Sequence, residues 1–197
     1  MPRRRRTRHP RHAVTALVPA LSARTRRSTT AHTGRVRWSV VASPIGDLGV
    51  AAEDSGVCAV SFSGPPPGVR VVAEPTGVLA DAVRQLRAYF AGELTEFSVP
   101  LSVRRGSGFE RAVWREIVNI PYGETRTYGE VATAVGDPAA ARAVGVACNR
   151  NPIPVIVPCH RIVGAGNKLV GFGGGLHRKR FLLELEARAR ILRDFGQ

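Results

Sequence analysis

Apolar positions fall in short alternating runs in the first half of the chain and recur every three or four residues in the second. Residues 36–42, 48–52 and 57–62 form the alternating runs, separated by S-P-I-G-D and E-D-S-G. Those separators are turn chemistry: Pro44 fixes φ, while Gly46 and Gly56 admit φ > 0. Three strands at this spacing predict a small antiparallel meander. P-P-P-G at 65–68 then breaks the chain into a loop. Val78, Leu79, Val83, Leu86, Tyr89 and Phe90 share one face of a helix expected over 77–91, which would cover one side of the meander. S-V-R-R-G-S-G at 102–108 marks a boundary between an α/β domain, 35–103, and a mainly helical one, 104–197.

Beyond that boundary, Phe109, Val113, Trp114 and Ile117 line a helix over 109–118, ending before Pro121. Thr127 and Glu130 have capping-box spacing and open a short helix over 128–135 that stops at Gly136. Asp137 caps a helix expected over 138–148, with Pro138 at the first position, where a missing N–H is harmless. Two short helices joined by a Gly-containing turn outline a helix-turn-helix. The second helix presents mostly Ala and Gly, with Arg142 projecting from its middle. Small side chains let a helix backbone approach a groove closely, and one long cation can enter the space of a displaced base. Tight Ala packing with Arg142 in an ordinary salt bridge is the competing reading.

Charge changes this picture less than its size suggests. The 197 residues carry 29 Lys+Arg against 15 Asp+Glu, a net +14. Residues 1–37 hold 11 Arg and no acid, which leaves +3 for the remainder. Segment 1–34 reads as a basic disordered arm, or as sequence upstream of the true start. Pro19 and the following Arg24, Arg26 and Arg27 disfavour a secretory signal there, and the Arg- and Ser-rich composition also resembles an organellar transit peptide. No apolar run reaches the ~18 residues of a membrane-spanning helix. Cys58, Cys148 and Cys159 are too few for a disulfide framework, and with no C-x-x-C pair there is no visible zinc ligand set. Neither metal nor cofactor is expected, and free thiols point to the cytoplasm.

The chemistry concentrates in N-P-I-P-V-I-V-P-C-H-R-I-V, 151–163. Its prolines exclude a regular helix and should hold the chain extended, and its apolar run should be buried. The run ends in Cys159, His160 and Arg161. A lone buried Cys is usually inert. Here an adjacent histidine and a cation are expected to lower the thiol pKa and raise the thiolate fraction. The histidine needs an orienting acid, for which Glu184 and Glu186 are candidates; Cys58 and Cys148 read as structural. Six glycines within 164–175 make a mobile or tightly turned loop that suits a flat ligand, and a helix follows from about Leu176 to Phe195.

I-V-P-C-H-R-I-V, with A-R-A-V-G and N-P-I-P before it and G-F-G-G-G-L-x-R-K-R-F-L-L after it, resembles the O6-alkylguanine-DNA alkyltransferases. The resemblance spans roughly residues 36–187 and takes in S-P-I-G, Q-L-x-A-Y-F-A-G-E and G-F-x-R-x-V-W. It implies an RNase-H-like α/β N-terminal domain and a helical C-terminal domain with a helix-turn-helix. It further implies a protein, expected to act as a monomer, that binds the minor groove of double-stranded DNA and flips O6-alkylguanine. The alkyl group then moves irreversibly onto a cysteine, with O4-alkylthymine left open as a second substrate. By motif, Cys159 is the acceptor, His160 polarises it through a water, and Glu186 orients His160. Tyr128 aids nucleotide rotation and donates a proton. Arg142 is the finger, with Ala140 and Ala141 beside it on the DNA-facing helix, and Asn151 is the hinge. Pro158, Ile162 and Gly173 belong to the substrate pocket, the last two through their backbone. Position 173 is Gly where some relatives carry a side chain, which suggests a wider pocket that accepts larger alkyl groups. A recognition module that flips without repairing, and a Cys-His-Glu hydrolase, are the rival readings.

Overall fold

A computed structural model describes residues 35–195, so the arm expected over 1–34 lies outside the described residues. Strands β1 (Arg37–Val41), β2 (Leu48–Glu53) and β3 (Gly56–Ser61) form the antiparallel meander, in the order β1-β2-β3. The first turn closes with Gly46 at φ +98°, its N–H donating to the Ser43 carbonyl at 3.0 Å. Helix α1 (Gly77–Phe90) packs on all three strands and buries Leu79, Val83, Leu86 and Tyr89. Each such side chain contributes about 1.5–3 kcal/mol on leaving water, so this face alone accounts for the docking of α1.

The link between the halves is stitched to the meander. Buried Glu53 accepts from Arg104 Nε at 3.0 Å and Arg104 Nη2 at 2.9 Å, and from the Ser102 hydroxyl. The Ser102 hydrogen bond, the largest of the influences on Glu53, helps to hold its carboxyl below the usual range. Helix α2 (Gly108–Val118) begins with a capping box between Ser107 and Glu110, which the apolar spacing alone does not reveal. A two-residue strand, β4 (Arg126–Thr127), leads into α3 (Tyr128–Ala134) through the expected Thr127–Glu130 box.

Two expectations need correction. The helix expected over 138–148 starts three residues late, as α4 (Ala141–Asn149). Asp137 Oδ1 accepts from the Ala139 N–H at 3.2 Å, so it caps a turn through Pro138–Ala140 rather than a helix. The segment 151–158 is buried as expected but is not extended. It folds into a turn closed by Val157 N–H donating to the Ile153 carbonyl at 2.8 Å, with Val155 at φ +75°. The cause is Asn151, whose Oδ1 accepts from Ile153 N–H at 3.0 Å and whose Nδ2 donates to the Val157 carbonyl at 2.8 Å. That side chain supplies the partners a neighbouring strand would otherwise provide.

A 3-10 turn at Cys159–Arg161 then enters β5 (Ile162–Val163), which pairs in parallel with β4. Helix α5 (Leu176–Phe195) closes the fold. One hydrophobic cluster runs through both halves, from Val41 and Leu86 to Ile153 and Leu182. Val60 N–H on β3 donates across the seam to the Pro152 carbonyl at 2.9 Å. Among the described residues no helix is long and apolar enough to cross a membrane.

Candidate active site

The turn through 151–158 and the 3-10 turn after it deliver Cys159, His160 and Arg161 to the centre of the molecule, all buried. Asn151 Nδ2 lies 3.2 Å from Cys159 Sγ while also bonded to Val157, so one amide fixes both the turn and the thiol. His160 Nε2 is 2.8 Å from Glu186 Oε1. Of the two acids left open by sequence, Glu186 is buried and faces the site, whereas Glu184 is exposed on α5.

Glu186 collects donors from three other segments: α1, the loop at Gly123 and the 3-10 turn. Oε1 accepts from Tyr89 Oη at 2.7 Å and Arg161 Nη2 at 3.0 Å; Oε2 accepts from Arg161 Nε at 2.9 Å and Gly123 N–H at 3.0 Å. Burial works to raise its carboxyl, but the hydrogen bond from His160 and the bonds and charge of Arg161 outweigh that and hold it down at about 2. An ionised Glu186 accepts only, so His160 Nε2 is the donor and carries the proton. Burial meanwhile holds the imidazole below its usual pKa, so the ring is neutral. Its Nδ1 is then a lone pair, buried and without a protein partner among the described residues. The arrangement presents a general base.

The thiol differs from expectation. Burial pushes Cys159 up to about 11, against the pull of the Asn151 bond and of Lys179. Arg161 does not act on it as anticipated: the guanidinium is committed to Glu186 and to the Ile120 carbonyl at 2.6 Å, and it lies 5.6 Å from the Tyr122 ring centroid. The cation that favours the thiolate is Lys179. At rest Cys159 is a protonated thiol, which needs a base to become a nucleophile. Cys148 is buried at the end of α4, its thiol pushed to about 12 by burial and then by Cys159.

Lys179 escaped the sequence reading. Its ammonium is buried, donates to the Val170 carbonyl at 2.7 Å and the Gly171 carbonyl at 3.1 Å, and lies 5.9 Å from the Tyr128 ring centroid. A signal existed: it is one of two lysines in a chain with 27 arginines. Tyr128, at the start of α3, donates from Oη to the Val170 carbonyl at 3.4 Å, and burial raises its hydroxyl to about 12. Tyr89 was read only as a core position of α1; its hydroxyl reaches Glu186 because a buried phenol needs a partner.

The remaining positions divide. Pro158 and Ile162 are buried beside Cys159, and Ile162 N–H donates to the Cys159 carbonyl. Gly173 stands in the glycine loop, where an added Cβ would meet nothing nearer than the Asn149 carbonyl at 3.8 Å. On α4, Arg142 is exposed and makes no hydrogen bond or ion pair among the described residues, which removes the salt-bridge reading. Ala140 and Ala141 are half-buried against the core, and the exposed row is Arg142, Ala143, Val146 and Asn149. Val146, at 48% exposure, adds an apolar side chain to the mostly Ala and Gly surface expected of this helix.

Residues 36–103 match the family described as the ribonuclease-like domain of 6-O-methylguanine DNA methyltransferase, and residues 108–188 match its DNA binding domain. A Mycobacterium tuberculosis methylated-DNA–protein-cysteine methyltransferase is 49% identical over 154 residues, 77% of this chain and 92% of that one. This chain belongs to that family. A Methanosarcina acetivorans member is 47% identical over 76% of this chain and 97% of its own length. The solved M. tuberculosis O6-methylguanine methyltransferase superposes with a TM-score of 0.71 at 48% identity, covering 79% of this chain and 94% of that one. The M. tuberculosis relative solved in complex with DNA gives 0.71 as well, at 48% identity, 78% and 94%. The methyltransferase family thus has its two parts here in order, a ribonuclease-like domain and a DNA binding domain.

Proposed function

We propose that this protein repairs DNA by moving the alkyl group of O6-alkylguanine onto Cys159, once per molecule. The observation that carries this reading is the Asn151–Cys159 contact beside a neutral His160 locked to an ionised Glu186, in a chain of this family. Cys159 Sγ attacks the alkyl carbon in line, the carbon–O6 bond breaks, and its electron pair leaves with the guanine. The thiol proton passes through a water to His160 Nδ1, and Tyr128 donates a proton to the departing base. The product thioether has no leaving group for water to displace at this site, so the reaction stops.

Double-stranded DNA is approached through the minor groove by α4, and Arg142 fills the space left by the flipped nucleotide. Extruding a base costs a few kcal/mol, less for a poorly paired alkylated one, which adds selectivity. Pro158, the Ile162 carbonyl and the Gly173 backbone border the base. The protein acts as a monomer in the cytoplasm, where its thiols stay reduced.

Mass spectrometry after incubation with an excess of O6-methylguanine duplex tests this directly. One methyl group on the peptide bearing Cys159, with no further reaction, is expected, and Cys159→Ala should take up none while still binding the lesion. Release of product beyond one equivalent would instead identify a hydrolase. Binding with no mass change would identify a recognition module.

A further inference from the structure

The wall of the substrate pocket is a loop with little of its own to hold it in place. Four of the six residues 170–175 are glycine, and the contacts that hold the loop come from outside it. On one side Lys179 and Tyr128 grip the Val170 and Gly171 carbonyls, as described. On the other, the contacts reach into the ribonuclease-like half, which holds none of the reacting groups. Phe172 meets Phe62, just beyond β3, edge to face with ring centroids 5.5 Å apart. Arg178 on α5 lies 5.4 Å from the Phe62 ring centroid, and it donates from Nη1 to the Gly174 carbonyl and from Nε to the Ile45 carbonyl, both at 2.8 Å. Ile45 belongs to the first turn of the meander. Gly174 is held so closely that a Cβ there would stand 2.7 Å from Phe62 and 2.9 Å from Phe172.

We infer that Phe62, acting through Phe172 and braced by Arg178, is a positioning residue that sets the substrate loop and thereby the affinity of the pocket for the alkylated base. This rests on the alkyl-transfer reading above. Gly173 lies between Phe172 and Gly174, the two residues the contact immobilises, so its backbone cannot stay in place if they move. The thiol, Asn151, His160 and Glu186 make none of these contacts, so the intrinsic reactivity of Cys159 should not depend on Phe62. Loss of the ring contact should weaken binding and leave the chemical step nearly unchanged.

The experiment is single-turnover transfer from O6-benzylguanine, as free base, to wild-type protein, Phe62→Ala, Phe62→Leu and Arg178→Met, with iodoacetamide alkylation of Cys159 measured in parallel. Removing the ring should raise the half-saturating benzylguanine concentration about tenfold, the equivalent of an aromatic pair plus its cation. The maximal rate and the iodoacetamide rate should stay within about twofold, since neither depends on ground-state binding of the base. Phe62→Leu keeps the apolar bulk without the edge-to-face geometry and should fall between. Arg178→Met should reproduce the same split from the other side of the loop. A half-saturation unchanged in the variants, or a loss shared equally by benzylguanine and iodoacetamide, would overturn the inference while wild-type transfer stands. A wild-type protein that takes up no benzyl group would overturn the alkyl-transfer reading itself, and this inference with it.

Discussion

Glu186→Gln removes the charge at the point where five hydrogen bonds from three other segments converge, and its effect can be worked from the structure. The carboxyl is held at about 2 against an ordinary value of 4.5. At about 1.36 kcal/mol per pKa unit, that depression corresponds to roughly 3 kcal/mol of stability. Breaking a buried ion pair from one side gives an independent figure of about 3–5 kcal/mol, because Arg161 is left charged and buried without its partner. Because the folded pKa is depressed, the contribution is fully present above pH 4.5 and is lost as pH falls towards 2. Urea unfolding of wild-type and Glu186→Gln protein at pH 7, 5, 4 and 3 checks both arms. The variant should be about 3 kcal/mol less stable at pH 7, and the gap should shrink steadily below pH 4.5. Parallel stability curves across that range would refute the assignment of an ionised Glu186. A deficit well under 1 kcal/mol at pH 7 would refute the geometry that ionises it.

The other predictions test separate links. Arg142→Ala should slow repair of O6-methylguanine in duplex DNA at least about tenfold while leaving reaction with free O6-benzylguanine nearly intact, since only the duplex has a gap to fill; equal losses would sink the finger role. Lys179→Met removes the cation that opposes burial of the thiol, so the pH midpoint for iodoacetamide alkylation of Cys159 should move above about 11. Each unit of that shift lowers the reactive thiolate about tenfold at fixed pH, and superimposable profiles would show that Lys179 acts only on the loop. Gly174→Ala should slow benzyl transfer about tenfold through overpacking against Phe62. Gly173→Ala has room for its methyl and should leave methyl transfer within about twofold while reducing benzyl transfer; a uniform loss would argue against a pocket widened at that position.

The elements that periodicity identifies well are those whose fate is decided locally. The meander turns need φ > 0 at glycine, and the Thr127–Glu130 box closes within four residues, so both were visible along the chain. The start of α4 was misplaced because Asp137 and Pro138 suit a helix cap and a turn equally, and the choice falls to backbone bonds spacing does not encode. Asn151 shows the same limit more sharply. Proline content correctly excluded helix after it, yet the turn exists because one amide serves two backbone partners and a thiol. The Cys159–His160 pair stood out in P-C-H-R, but its electrostatics did not. Arg161, adjacent in sequence, is spent on Glu186, whereas Lys179, twenty residues away, is the cation that acts on Cys159. Tyr89 and Phe62 were seen only as apolar positions, since nothing local tells that a ring on the first half ends beside the second.

The bond from Tyr89 to Glu186 bears on how this molecule can be taken apart. A cut near residue 104 would separate two recognisable family segments, and the second would keep Cys159, His160 and Arg142. It would nonetheless lose one of the donors that hold its orienting acid, together with the aromatic ring against which its pocket wall rests. A shortened repair protein built from that half alone would inherit the reagents without the jig. Conversely, two inert fragments brought together by fused partners would regain the acid's missing donor and the pocket's support at the same moment. Under the proposed transfer, a covalent, one-time mark on Cys159 would then record that they had met.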